Sequence, residues 1–363
     1  MYTIKFRLTL LTLNCVTIIS CNNNSDAKES RNDTTVKATQ AKEYFSQPLV
    51  SDIYTADPSA HVFNGKIYIY PSHDTATGVP QDEQGSHFDM MDYHILSMDA
   101  VGDKVTDNGI ALHIKDIPWA AKQLWAPDAA FANNKYYLYF PAKNKQGFFQ
   151  VGVATSDKPE GPFVAEKEPI KGSYSIDPCV FKDDDGKFYM YFGGIRGGQL
   201  QRWNNNKYDS TAKNRKPEEP AIQPRMAKLT ADMKEFAEPV KEIQLLDKNG
   251  KPFMEKDNDK RFFEASWMFK KDSKYYFTYS TGDTHFICYA TGSSPYGPFT
   301  YQGVILNPVD GWTNHQSIVE IGGKWYLFYH DVQLSGKTHL RNVKVTEMKF
   351  NSDGSIQTLN SFK

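Results

Sequence analysis

Cysteine is scarce in this chain: four residues among 363, two of which, Cys15 and Cys21, lie in an N-terminal apolar segment. The remaining pair, Cys179 and Cys288, makes no disulfide framework, and no CxxC spacing offers a zinc cage. Both sit in apolar runs and are expected as buried free thiols. An excess of one charge is also missing. Lys plus Arg number 42 against 43 Asp plus Glu, without a long run of either sign, which argues against nucleic acid as a partner. No long stretch carries the 3.6-residue periodicity of an amphipathic helix. A Gly-rich phosphate loop, a dinucleotide fingerprint and a Ser or Cys nucleophile signature are absent as well. Aromatic residues, by contrast, are plentiful. The 21 Tyr and 23 Phe suit pleated, half-buried surfaces and favour β-structure.

Those aromatics fall into a repeat. A Lys-led strand recurs as Lys66-Ile67-Tyr68-Ile69-Tyr70, Lys135-Tyr136-Tyr137-Leu138-Tyr139 and Lys187-Phe188-Tyr189-Met190-Tyr191. It returns as Lys274-Tyr275-Tyr276-Phe277-Thr278-Tyr279 and Lys324-Trp325-Tyr326-Leu327-Phe328-Tyr329. Each copy follows a short Asn/Asp/Gly-type turn, and each turn follows another apolar strand, which is the strongest local sign of a hairpin. A third strand ending in a Pro-x-Gly-Pro-Phe turn appears at 151–163 and again at 287–299. The unit is therefore a meander of three or four antiparallel strands, present five times in register. The spacing predicts an all-β, five-bladed β-propeller, which closes radially and leaves no free sheet edge. The unequal intervals between copies place long polar loops near 74–92 and 197–224. One domain is expected over 45–363.

Alignment of the copies on their turns exposes one position that does not repeat. It reads Asp57, Ala126, Asp177, Glu264 and His315, at the start of the strand expected to lie innermost. A purely structural residue would tend to recur unchanged, as Asp-Pro can when it caps a turn. Divergence at an axial position points instead to divided labour. Three carboxyls brought together suit general acid–base chemistry, because crowding drives their pKa values apart. With the nucleophile and phosphate-binding signatures missing, glycoside hydrolysis leads among the reaction classes.

The blocks Ala56-Asp57-Pro58, Trp125-Ala126-Pro127-Asp128, Ser175-Ile176-Asp177-Pro178 and Phe263-Glu264-Ala265-Ser266 resemble the signature blocks of glycoside hydrolase family 43, in the family's order. Ser72-His73-Asp74, the stretch 280–285 and Thr338-His339-Leu340-Arg341-Asn342 bring it nearest the β-xylosidase-type branch. The resemblance implies an exo-acting, inverting β-xylosidase on xylo-oligosaccharides, with α-L-arabinofuranosidase as the alternative. It makes Asp57 the general base, Glu264 the general acid, and Asp177 the residue that raises and orients Glu264. It further implies substrate contacts from Trp125, Arg341 and His73. For His315 it implies a place beside a mostly hydrated Ca2+, and no organic cofactor is expected. One departure is Ala265, where many relatives carry Gly. A non-catalytic glycan-binding propeller and a metal-dependent hydrolase using His315 remain as other readings.

The N-terminus reads as a targeting segment. Lys5 and Arg7 precede an apolar run from Leu8 to Ser20 that is too short to span a bilayer comfortably. Ile18-Ile19-Ser20-Cys21 resembles a bacterial lipobox, which makes residues 1–21 a lipoprotein-type signal with Cys21 lipidated; an ordinary secretory signal is the other reading. Residues 22–44 then form a polar tether, and the protein is expected in the bacterial cell envelope, touching membrane only through its anchor.

Overall fold

The computed structural model describes residues 42–363. The signal-type segment with Cys21, and the tether as far as residue 41, lie outside the described residues. No α-helix occurs among the described residues, whose only helical pieces are four single 3-10 turns.

Five main, largely antiparallel sheets follow one another along the chain, beside a two-stranded ribbon of Trp203–Asn204 and Lys207–Tyr208. Blade 1 is built from Tyr54–Phe63, Lys66–Asp74, Asp92–Met98 and Thr106–His113. Blade 2 comprises Asp128–Ala132, Lys135–Asn144, Phe149–Ser156 and Val164–Ala165, with Ala120–Lys122 added beside its second strand. Blade 3 comprises Cys179–Lys182, Phe188–Phe192, Arg225–Lys228 and Lys241–Glu242. Blade 4 comprises Glu264–Lys271, Lys274–Ser280, Ile287–Gly292 and Phe299–Leu306, with Leu245–Leu246 parallel to its outer strand. Blade 5 has Gln316–Ile321, Lys324–Asp331 and Asn342–Met348. The first strand of each blade touches the first strand of the next, and that of blade 5 touches that of blade 1. The sheets therefore surround a common axis as a five-bladed propeller.

Local chemistry explains the hairpins. At Asn64-Gly65, Asn133-Asn134, Asp272-Ser273 and Gly322-Gly323 both central residues have positive φ, between 49° and 78°. That is the mirror-type two-residue turn whose twist matches the flanking strands, and Asn, Asp and Gly tolerate it best. The register agrees, with Phe63 paired to Lys66, Ala132 to Lys135, Lys271 to Lys274 and Ile321 to Lys324.

The recurring aromatics lock the blades together. Tyr70, Tyr139, Tyr191 and Tyr279 are fully buried. Burial of each ring removes apolar surface from water, worth about 2 kcal/mol apiece. A buried phenol must also place its O–H. Tyr70 of blade 1 donates to Pro159 O of blade 2 at 2.7 Å, and Tyr191 of blade 3 donates to Pro295 O of blade 4 at 2.8 Å. Both acceptors open the repeated Pro-x-Gly-Pro turn, so that motif serves as a latch for the preceding blade. Near the axis, Asp128 accepts from the Ser59 hydroxyl, from Val180 N–H at 2.5 Å and from Ala129 N–H at 2.7 Å, with His61 Nε2 at 2.7 Å. One buried carboxylate thus ties blades 1, 2 and 3. Cys179 and Cys288 are buried and unpaired.

Blade 5 borrows its outer edge from the other end of the chain. Leu49 N–H donates to Val343 O at 2.9 Å and Thr55 N–H to Arg341 O at 3.0 Å. Phe45 N–H bonds Ser361 O, Lys363 N–H bonds Glu43 O, and Tyr44 bridges Phe362. Residues 42–44, read from sequence as the end of the tether, are thereby paired with the C-terminal segment.

Candidate active site

The axial end of the inner strands is where regular pairing breaks. In blade 1 the register slips between Ala56 and Ser59, leaving Asp57-Pro58 as a bulge with Asp57 at φ 48°. In blade 4 it slips between Glu264 and Trp267, with Ala265 at φ 61°. Asp177, just ahead of the first strand of blade 3, has φ 56°. Bulges re-aim side chains that a regular strand would send into the sheet. Here they turn Asp57, Asp177 and Glu264 toward one pocket, together with Ala126, Trp125, His315 and Arg341.

The pocket holds about 490 Å³ of open space, counted to its mouth. Its walls come from the two long loops expected from the sequence, through Gly85, Phe88 and Met90 on one and Gly197 and Gly198 on the other, and from Trp312 and Thr313 ahead of blade 5. Gly85, at φ 69°, lies so close to Trp125 that a Cβ there would stand 2.7 Å from the ring. Glycine is thus required where this loop crosses the indole.

Asp57 is held as an anion. It is buried, and Arg341 Nη1 reaches its Oδ1 at 2.9 Å while the Ser72 hydroxyl donates to Oδ2 at 2.7 Å. Burial alone would raise its pKa, yet Arg341, the two histidines and Ser72 outweigh it and bring the carboxyl down to about 2. Arg341 is itself clamped. Its Nε and Nη2 donate to the two oxygens of buried Asp74, each at 2.8 Å, a forked ion pair that fixes the guanidinium plane. His330 accepts the Asp57 N–H through Nδ1 at 3.0 Å and meets Thr313 O through Nε2 at 3.0 Å, which fixes its tautomer. Burial pushes His330 down to about 3, so it is neutral near pH 7.

Glu264 sits in the opposite electrostatic setting. Its carboxyl makes no hydrogen bond among the described residues and faces the pocket. Burial, then Asp177, then Asp57 raise its pKa well above the ordinary 4.5. Burial raises Asp177 as well, but Asp177 Oδ2 accepts the Ala265 N–H at 2.7 Å. Only one of the two carboxyls has a donor that favours its anion. We therefore place the charge on Asp177 and the proton on Glu264.

His315 lies between the acids, with Nδ1 at 3.7 Å from Asp57 Oδ1 and 3.9 Å from Asp177 Oδ2, both beyond hydrogen-bond distance. Burial pushes it down to about 4. Its ring has no hydrogen-bond partner among the described residues, so a ring nitrogen is free for water or a cation. Calcium takes six to eight oxygens, and one imidazole fits it only as a single protein ligand in an otherwise hydrated shell.

Trp125 forms pocket wall, its Nε1 anchored on Phe88 O at 2.7 Å. His73 requires a correction: it does not line the pocket, because its Nδ1 is bonded to Asp92 at 2.6 Å and its ring packs on His94. The neighbour Asp74 is the residue of that block that serves the site, through Arg341. His330, Phe88 and Trp312 were not singled out by the sequence, since none occupies the aligned axial position.

Known proteins similar to the chain point to one family. The model for glycosyl hydrolases family 43 matches residues 45–356. The chain is 59% identical to xylosidase/arabinosidase 43A of Humicola insolens, over 86% of this chain and 98% of that protein. It is 56% identical to a xylosidase/arabinosidase of Bacteroides ovatus, over 86% and 96%. Among solved structures it superposes with a TM-score of 0.86 on a β-xylosidase/α-arabinofuranosidase from a compost microbial metagenome. That protein was solved with xylotriose in a calcium-free form, is 64% identical, and the match covers 87% of this chain and 97% of that one.

Proposed function

The chain belongs to glycosyl hydrolase family 43, and from that premise we propose that it is an exo-acting, inverting β-xylosidase that releases xylose from xylo-oligosaccharides. The observation that carries the reading is the meeting in a single pocket of two carboxyls in opposite settings, Asp57 bonded to Arg341 and Ser72 and Glu264 without a hydrogen bond among the described residues. Inverting hydrolysis needs such a pair, one to activate water and one to protonate the leaving oxygen.

The steps assign one role to each group. Asp57 takes a proton from a water molecule, whose oxygen bonds the anomeric carbon as the glycosidic C–O bond breaks. Glu264 gives its proton to the departing oxygen, and the new hydroxyl stands on the face opposite the old bond. Asp177 keeps Glu264 protonated until that moment, and the Ala265 N–H holds Asp177 in place. Arg341 keeps Asp57 ionised and offers a donor to a sugar hydroxyl, while Trp125 supplies an apolar face for the sugar ring. The loop residues Gly85, Phe88, Gly197 and Trp312 wall the pocket in, which favours removal of a terminal unit over cleavage within a chain. Calcium at the axis would be held by His315 with water as the remaining ligands, and it would add positive charge beside the acids.

A second reading, α-L-arabinofuranosidase activity in the same pocket, is favoured by the paired names of the similar proteins from Humicola insolens and Bacteroides ovatus. Export and lipidation at Cys21 rest on the sequence of residues 1–21 and are part of the proposal. Aryl β-xyloside and aryl α-arabinofuranoside assayed side by side, with the released anomer followed by NMR, test the reading. β-Xyloside turnover that releases the α-anomer first is expected; release of the β-anomer would overturn inversion. Glu264→Gln should cut kcat for a natural oligosaccharide by about 10²- to 10⁴-fold, the usual worth of a general acid. Unchanged hydrolysis would remove Glu264 from the mechanism.

A further inference from the structure

The second strand of blade 1, Lys66–Asp74, and the third, Asp92–Met98, pair with Ile67 opposite Met98 and Ile69 opposite Leu96. Continued toward the far end, that register sets His73 across from Asp92. His94, two residues further along, returns to the same face as Asp92. Three metal-binding side chains thus meet on one face of the blade, outside the pocket. One ligand atom from each of His73, Asp92 and His94 lies within 4.8 Å of the others. The side chains are 14–16% exposed, which shields them without sealing them off.

The surroundings match what metal-binding histidines require. His94 Nδ1 lies 2.9 and 3.0 Å from the two oxygens of Asp107, and His73 Nδ1 lies 2.6 Å from Asp92. For His94 the carboxylate on Nδ1 fixes the proton there and leaves the Nε2 lone pair free, the arrangement commonly found behind zinc-bound imidazoles; His73 Nδ1 and Asp92 instead face one another, so a cation between them would take the place of the proton they share. His94 Nε2 has no hydrogen-bond partner among the described residues. His113 stands opposite Asp92 in the neighbouring strand, but its Nδ1 accepts the Lys115 N–H at 3.1 Å, so its proton sits on Nε2. That leaves the fourth position to water.

We propose that His73, Asp92 and His94 form a binding site for one borderline divalent cation of the Zn²⁺ class. Two imidazoles and a carboxylate suit Zn²⁺ and disfavour Mg²⁺, which prefers an all-oxygen octahedron. The site is separate from the axis where His315 lies. It would fasten two strands of blade 1 just beyond Asp74, the residue that clamps Arg341.

Calorimetric titration of the EDTA-treated full chain with ZnCl2, and separately with MgCl2, tests this. One saturable Zn²⁺ site that raises the melting temperature is expected, with no comparable Mg²⁺ binding. His94→Gln should abolish it, and Asp107→Asn should weaken it about tenfold or more by releasing the imidazole. His315→Ala should leave it intact. Absence of saturable Zn²⁺ binding overturns the proposal, as does binding unchanged in His94→Gln or lost in His315→Ala. Should His94→Gln fail to fold, Asp107→Asn decides: unaltered affinity refutes the site.

Discussion

Replacement of Arg341 by Met isolates the charge that governs the base. Met keeps comparable length and bulk but removes both bonds to Asp74 and the one to Asp57. Asp57 stands at about 2 against an ordinary 3.8, a gap worth about 2 kcal/mol. Burial pulls the other way and is untouched by the change, so without Arg341 the Asp57 carboxyl should rise above about 2. The sign for stability follows from linkage. A carboxyl depressed in the folded state stabilises the fold above about pH 3.8, and this stabilisation fades as pH falls toward 2. Arg341→Met removes that contribution at neutral pH. It also leaves Asp74 buried without its partner, for a combined loss of about 3–5 kcal/mol. Asp74→Asn in the same chain should recover part of this.

The assay is kcat/KM for an aryl β-xyloside as a function of pH, with melting temperature recorded on the same samples. Wild type should hold its activity down to the acid limit of folding. Both Arg341→Met and Arg341→Met/Asp74→Asn should lose activity at a distinctly higher pH. An acid limb that coincides with wild type in a folded variant would refute the reasoning. Arg341 would then be a substrate contact and nothing more.

Other outcomes follow from the same geometry. Asp177→Asn removes the anion that helps hold Glu264 protonated, so the alkaline limb of kcat/KM should move to lower pH; an unmoved limb would assign Asp177 another role. Asp128→Ala deletes the carboxylate shared by three blades and should cost about 3–5 kcal/mol in urea unfolding, while kcat of the folded enzyme stays near wild type. Chelation with EGTA should lower activity partly and Ca2+ should restore it, whereas complete loss would favour a metal-dependent hydrolase.

The repeat made most of the architecture readable. Lys-led aromatic strands behind two-residue turns give the blade unit directly, because turn chemistry and side-chain alternation are local properties. The three acids were legible for a related reason: a position that varies among otherwise similar units stands out in one sequence. Asp74 and His330 were not, because their importance is relational. Asp74 matters through Arg341, far along the chain, and His330 through the backbone N–H of Asp57. His73 misled because its chemistry drew attention within Ser72-His73-Asp74, while strand alternation turns it away from the pocket and leaves Asp74 to face Arg341. The bulges at Asp57 and Glu264 break the two-residue period, and no pattern in the repeat forecasts them.

Asp57 and its counter-charge belong to the first and last blades, and their union goes with Leu49 and Thr55 lying along the strand Asn342–Met348 and the Arg341 before it. Until the final blade is made and docked, the base has no guanidinium beside it. Ring closure is thus a condition for a charged base. Recovery of hydrolysis on refolding should therefore report the meeting of the first and last blades.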